Sequence, residues 1–184
     1  MKRCAASVSS TKVKGKGLEA FEEGLTAMLP RLRRFAHGLS RSAVDADDLT
    51  QIAVERALKA RGQWQSGTRL DSWLYRIVRN AWIDTARARS RERARTLPAE
   101  AGDQVGHDPR PGIEAGMDLR LLMAAMSQLP DEQREAVSLV LIEGLGYREA
   151  AEVLEIPVGT LSSRLVRGRN ALLALVGEGR SDDR

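Results

Sequence analysis

The chain is poor in the residues that most often carry chemistry. Its 184 residues include one cysteine, two histidines, three tryptophans, two tyrosines and two phenylalanines. A lone Cys4 makes neither an internal disulfide nor a thiolate metal cluster. His37 and His107 stand far apart with no partner at ligand spacing, so no metal site is expected. No glycine-rich phosphate loop occurs, which leaves nucleotide use unsupported, and no Ser/His/Asp arrangement can be composed. The paired Asp47 and Asp48 fall at the start of a helical pattern, where capping explains them better than acid–base catalysis. No run of about eighteen apolar residues is present to span a bilayer. The opening "MKRCAASVSSTKVKGKG" is basic and polar and lacks the apolar stretch of a secretory leader. Alternation of the β-strand type is almost absent. These absences point to an all-α, cytoplasmic protein that is not an enzyme, binds no cofactor or metal and does not insert into a membrane.

What the chain does have is aliphatic residues and arginine. Hydrophobic residues make up 42% of it and aromatics only 4%, so a core must be built from Leu, Val, Ile and Ala, which suits packed helices. The formal net charge of +4 decides little by itself; its distribution says more. "RIVRNAWIDTARARSRERAR", Arg76 to Arg95, holds seven arginines against Asp84 and Glu92, with little acidic compensation nearby in sequence. "PAEAGDQVGHDPRPGIEAGMD", Pro98 to Asp118, holds five acids against Arg110. Charge separated in this way suggests a surface for a polyanion beside a solvated linker. The acidic stretch is rich in Gly and Pro and has no apolar period, so it is too long and too irregular for a loop inside a compact domain. The expected organisation is a disordered basic tail (1–17), a helical lobe (18–94), a flexible acidic linker (95–114), a second helical lobe (115–177) and a short tail (178–184).

In the first lobe Leu18, Phe21, Leu25, Met28, Leu32, Phe35 and Leu39 recur at steps of three and four, the spacing of one helix face. Pro30 is expected to break or kink that helix, or to start a new one. "DADDLTQIAVERALKARG" predicts a second helix, capped by Asp45 or Asp47 and closed near Gly62. A loop around Ser66, Gly67 and Thr68 leads into a long third helix through Leu70, Trp73, Leu74, Ile77, Val78, Ala81 and Trp82. Trp73 is read as core, whereas Tyr75 is open to either face. The second lobe begins with a helix whose apolar face is Leu119, Leu122, Met123, Met126 and Leu129, ended by Pro130. Another helix follows to near Gly144.

"YREAAEVLEIPVGTLSSRLVRGRNAL", Tyr147 to Leu172, then holds two helical patterns joined by a tight break at Glu155-Ile156-Pro157. Ala150, Ala151 and Leu154 are expected to face inward from the first. Val158, Leu161, Leu165 and Leu172 form the inner stripe of the second, leaving Thr160, Ser163, Arg164 and Arg167 together outside. Short hydroxyls let a helix enter a major groove, and arginines take guanine edges or phosphates. A helical hairpin with a solvated basic edge fits the same residues. The alanine-rich first helix, tight turn and Ser/Thr/Arg face together favour a helix-turn-helix that reads DNA.

"LPDEQREAVSLVLIEGLGYREAAEVLEIPVGTLSSRLVRGRNAL" closely resembles the fourth conserved region of the extracytoplasmic-function sigma factors, the group IV sigma-70 proteins. "DADDLTQIAVERALKA" with "WQSGTRLDSWLYRIVRNAWIDTARARSR" resembles their second conserved region. The resemblance runs from about residue 20 to about residue 176, in the order that the family has. It implies a bacterial protein that binds core RNA polymerase and promoter DNA, directs promoter-specific initiation including promoter opening, and is controlled by an anti-sigma factor. Asp48 and Gln51 then match the surface that grips polymerase. Trp64, Ser66, Gly67, Thr68, Arg76, Arg79, Asn80 and Arg87 match the minus-ten reader, with Arg89 a further phosphate candidate. Thr160, Ser163, Arg164 and Arg167 match the minus-thirty-five reader. Two departures stand out. Ile52 occupies a position where the family often has an acid, and Glu155 one where it commonly has Gly; a turn needing positive φ there costs a non-glycine residue on the order of 1 kcal/mol. Two other functions compete with this one: a stand-alone helix-turn-helix regulator, and a sigma-like decoy that binds an anti-sigma factor.

Overall fold

A computed structural model describes residues 7–40, 42–65, 67–95 and 113–181. Residues 1–6, 96–112 and 182–184, and with them Cys4, His107 and most of the expected linker, lie outside the described residues, as does Ser66. Among the described residues every regular element is helical: α1 (Ser7–Leu39), α2 (Ala43–Lys59), α3 (Leu70–Arg95), α4 (Ile113–Gln128), α5 (Asp131–Val137), α6 (Tyr147–Leu154) and α7 (Val158–Ser181). A short 3-10 turn at Arg61–Gln63 follows α2, and a π-helical turn at Ser138–Ile142 extends α5.

Helices α1, α2 and α3 pack pairwise into the first lobe. Phe21, Leu25, Leu32, Phe35 and Leu39 of α1 meet Ala46, Leu49, Ala53 and Ala57 of α2, and Leu74, Val78 and Ala81 of α3 complete the layer. The alanine stripe of α2 lets its neighbours approach closely. Trp73 is half-buried and sets its ring edge-on to Phe21, with centroids 6.0 Å apart. In the second lobe α5 and α7 share the most extensive contact, with α4 and α6 also against α7. Ala150, Ala151, Val153 and Leu154 of α6 bury against Leu161, Leu165 and Leu172 of α7.

Several local expectations are corrected. Helix α1 runs unbroken through Pro30, which is exposed. An interior proline costs a helix about 3 kcal/mol, but the buried side chains on either side each return roughly 1.5–3 kcal/mol. The same helix reaches back to Ser7, into the segment expected to be a tail, because extending an existing helix adds a hydrogen bond for each residue ordered. The cap of α2 is Ser42, whose Oγ accepts from the Asp45 N–H at 3.1 Å, because the helix starts earlier than either aspartate allows. Asp45 and Asp47 are instead engaged by Arg89 and Arg33. Helix α2 closes at Ala60, and Gly62 falls inside the 3-10 turn. Leu122 and Val158 keep 37% and 42% of their surface exposed, and Ala125 takes the inward position on α4. Gly144 ends the π turn with φ of 73°, a conformation that side chains with a Cβ avoid.

The two lobes touch along a seam in which α1 meets α5 and the π turn, and α3 meets α6.

Candidate nucleic-acid interface

The break between α6 and α7 is built as a Schellman closure. Glu155 lies in the left-handed region at φ 55°, ψ 41°, and is the only non-glycine residue with positive φ among the described residues. Its N–H reaches the Glu152 carbonyl at 3.3 Å and the Ile156 N–H reaches the Ala151 carbonyl at 3.1 Å, so the last carbonyls of α6 are satisfied. At the other end of α6 the Gly146 N–H donates to the Glu149 carboxylate at 3.1 Å. Pro157 stands directly before α7 and accepts from the Leu161 N–H at 3.1 Å. This fixes the angle at which α7 leaves the turn and presents one polar edge.

On that edge Ser163 and Arg167 are exposed and make only bonds within the helix: Ser163 Oγ donates to the Thr160 carbonyl at 2.9 Å, and Arg167 Nε to the Ser163 carbonyl at 3.2 Å. Thr160 is half-buried. Arg164 differs: its side chain retains 16% exposure and its Nη2 lies 3.0 Å from Glu132 at the start of α5.

The expected minus-ten residues divide in the same way. Asn80 and Arg87 are exposed on α3. Trp64 is half-buried with its ring 5.8 Å from that of Phe21, and its Nε1 is buried without a hydrogen-bond partner among the described residues. Gly67 is exposed at φ 93°, and Thr68 Oγ1 donates to the Gln65 carbonyl at 2.7 Å, which closes the loop onto itself. Arg76 and Arg79 are not free. Arg76 Nη2 donates to the Glu152 carbonyl at 3.1 Å, with its Nε 3.7 Å from Glu155. Arg79 Nε meets Glu135 at 3.0 Å with both side chains nearly buried. Burial pushes the Glu135 carboxyl above its ordinary range, and Arg79 works against that shift. Arg89 pairs with Asp45, and this bond holds the Asp45 carboxyl below its usual range. Three arginines of the run, Arg76, Arg79 and Arg89, are therefore compensated by acids distant in sequence. The acids come from α2 and from the second lobe.

Asp48 and Gln51 are both exposed on the outer face of α2, opposite Leu49 and Ala53, with Gln51 Nε2 3.4 Å from Glu55. Ile52 is packed against the core, which accounts for an apolar residue there.

One cluster was missed altogether. Glu143, from the second lobe, has a fully buried side chain. It accepts from Arg34 Nε at 2.7 Å and Nη2 at 3.1 Å, from Arg31 Nε at 3.2 Å and from the Tyr75 hydroxyl at 2.7 Å. Its main-chain carbonyl accepts from Arg31 Nη2 at 2.7 Å. Burial first, and the bond to Glu143 second, raise the Tyr75 hydroxyl far above its ordinary value. The bond to Glu143 likewise raises the Arg34 guanidinium. The cluster joins residues separated by 112, 109 and 68 positions, a separation that no local pattern reports.

Comparison with known proteins then decides the family. Residues 25–92 match Sigma-70 region 2, and residues 119–172 match Sigma-70 region 4. The chain is 36% identical over 158 residues to the ECF RNA polymerase sigma factor EcfG of Rhodopseudomonas palustris, covering 86% of each chain.

The chain belongs to the ECF RNA polymerase sigma factors.

A second relative, the ECF sigma factor SigC of Mycobacterium tuberculosis, is 36% identical over 172 residues, covering 92% of this chain and 89% of its own. Among solved structures, the sigma factor RpoE of Bartonella quintana in complex with the anti-sigma factor NepR matches with a TM-score of 0.78 and 31% identity, over 86% of this chain and 98% of that one. As a member of the family this sigma factor binds core RNA polymerase and promoter DNA and directs transcription initiation. No helix among the described residues is long and apolar enough to cross a membrane.

Proposed function

We propose that residues 18–94 of this sigma factor grip core polymerase and read the minus-ten element, that residues 115–177 read the minus-thirty-five element, and that the protein works in the bacterial cytoplasm without catalytic chemistry of its own. Asp48 and Gln51 form the polymerase contact, being exposed on the outer face of α2. Asn80 and the loop of Trp64, Ser66, Gly67 and Thr68 receive an unstacked base of the displaced strand, while Arg76, Arg79 and Arg87 hold its phosphates. The energy for strand separation comes from binding, since an opened base gains stacking and charge contacts that the duplex denies it. Thr160, Ser163, Arg164 and Arg167 enter the major groove at the minus-thirty-five element. An anti-sigma factor is the proposed negative regulator, in keeping with the capture of the similar RpoE by NepR. The observation that carries this assignment is the polar edge of α7, held outward by the Glu155 turn on the same chain as an arginine-rich α3.

The test is transcription by purified bacterial core polymerase on a library of promoter fragments, with and without the protein. New promoter-specific transcripts are expected. Polymerase binding without transcripts would favour the decoy function, and neither result would leave a helix-turn-helix acting alone.

A further inference from the structure

Three of the five arginines assigned to DNA are already committed to protein. Across the seam Arg76 Nη2 donates to the Glu152 main-chain carbonyl near the Glu155 carboxylate, and Arg79 bonds Glu135, while Arg164 is paired with Glu132 of its own lobe. A groove between the lobes has Arg79, Arg87 and Arg164 on its walls, while Asn80, Ser163 and Arg167 stay exposed outside it. Arg69 of the minus-ten loop is paired with Glu149 of α6. At the far end of the seam lies Glu143, whose side-chain partners all come from the first lobe.

We propose that Glu143 is the latch of a closed, DNA-refractory state built into this chain. Its buried carboxylate, gathered by Arg31, Arg34 and Tyr75, holds the second lobe on α1 and α3, and the seam must open before Arg76 and Arg79 can meet a promoter. This extends the residue assignments above and rests on them. A carboxylate removed from water is tolerable only where charge and hydrogen bonds replace its hydration. Glu143 receives four side-chain bonds, all from the other lobe. Closure is therefore favoured by that carboxylate specifically, and a neutral side chain of the same shape weakens it. The fit is close as well as charged. Gly38 of α1 lies where an added Cβ would sit 2.6 Å from Ser138 Oγ and 3.2 Å from Ser138 Cβ, so the lobes meet there with no room for a side chain. RpoE of Bartonella quintana, which matches over a span covering both lobes, was captured with an anti-sigma factor. Here the seam consists of the chain's own residues. A partner that prefers the closed form would find it already populated.

The experiment uses the full chain in two single variants, Glu143→Gln, which removes charge at constant shape, and Gly38→Val, which wedges the seam without changing charge. Small-angle scattering reads the separation of the lobes. Fluorescence anisotropy with a labelled random-sequence single-stranded DNA reads release of α3. A chain closed about nine-tenths of the time binds about tenfold more weakly than its open form. Both variants are therefore expected to enlarge the radius of gyration and to tighten DNA binding by up to about tenfold. A wild-type chain already extended in solution, or variants unchanged in both readouts, would overturn the latch. If Gly38→Val fails to fold by circular dichroism, Glu143→Gln decides alone. Wild-type transcription with core polymerase is measured alongside. Its failure together with open, tighter-binding variants would refute the promoter assignments and leave the latch standing; transcription with unchanged variants would do the reverse.

Discussion

Three side chains show how position alters what a residue type means. Arg164 has the spacing of a base reader, yet off DNA it sits against Glu132, which is itself mostly exposed. An exposed ion pair contributes about 0–1 kcal/mol, whereas a base-specific bidentate contact contributes about 1–3 kcal/mol. Arg164→Ala should therefore lower transcription from the cognate promoter roughly tenfold or more while polymerase affinity, measured by co-elution, stays the same. Loss of polymerase binding would sink the assignment. Glu155 holds a left-handed turn in which a side chain costs on the order of 1 kcal/mol. Glu155→Gly should raise the melting temperature, and a lower one would mean that the contact with Arg76 outweighs the backbone strain. His37 is half-buried on α1; burial lowers its pKa below 6.5, with Asp47 opposing and Arg33 assisting. Because the unfolded chain protonates first, the stability from this group is present above 6.5 and is lost as pH falls through the folded value. Replacing His37 with Asn should flatten that part of the pH profile of thermal unfolding. An unchanged slope would place the acid sensitivity elsewhere.

At the scale of elements, the informative feature is the π turn. The Glu143 N–H bonds the Ser138 carbonyl at 2.9 Å, an i to i+5 closure, and the Leu145 N–H bonds the Leu139 carbonyl at 3.0 Å. One extra residue in a turn rotates everything after it by about 100°, and such turns recur at functional places. Here it aims Glu143 into the seam and leaves Leu141 exposed on the outside. Deleting Leu141 should restore an α-helical turn and swing Glu143 away from Arg31 and Arg34. Scattering should then report separated lobes while circular dichroism keeps its helical signal. A seam that stays closed would show that the π turn does not aim the latch.

For the molecule as a whole, the seam has two kinds of charge. Glu143 and Glu135 are buried, whereas Arg76–Glu155 and Arg69–Glu149 lie in partly exposed positions. Exposed charges are screened beyond about 10 Å at 0.1 M salt, and buried contact pairs much less. Raising the salt concentration should leave the radius of gyration nearly constant while DNA affinity falls steeply through counterion release. A chain that opens with salt alone would move the latch from Glu143 to the exposed pairs.

The sequence by itself determined the helical class, the polar edge of α7 and the strained turn at Glu155. Each is written in spacings of three or four residues, or in a single residue type at a turn, and so needs no knowledge of distant neighbours. It also marked Trp73 as packed and Tyr75 as undecided. Only the tertiary structure decided that Tyr75 is buried, that Ser42 caps α2, that Pro30 is carried inside one helix and that Arg76 and Arg79 are paired. These outcomes depend on which surfaces meet. The partners of Glu143 lie on α1 and α3, 68 to 112 residues away, and its orientation depends on a π turn with no recognised sequence mark. Local periodicity assigns a residue to a face; what that face touches is settled by how the helices pack.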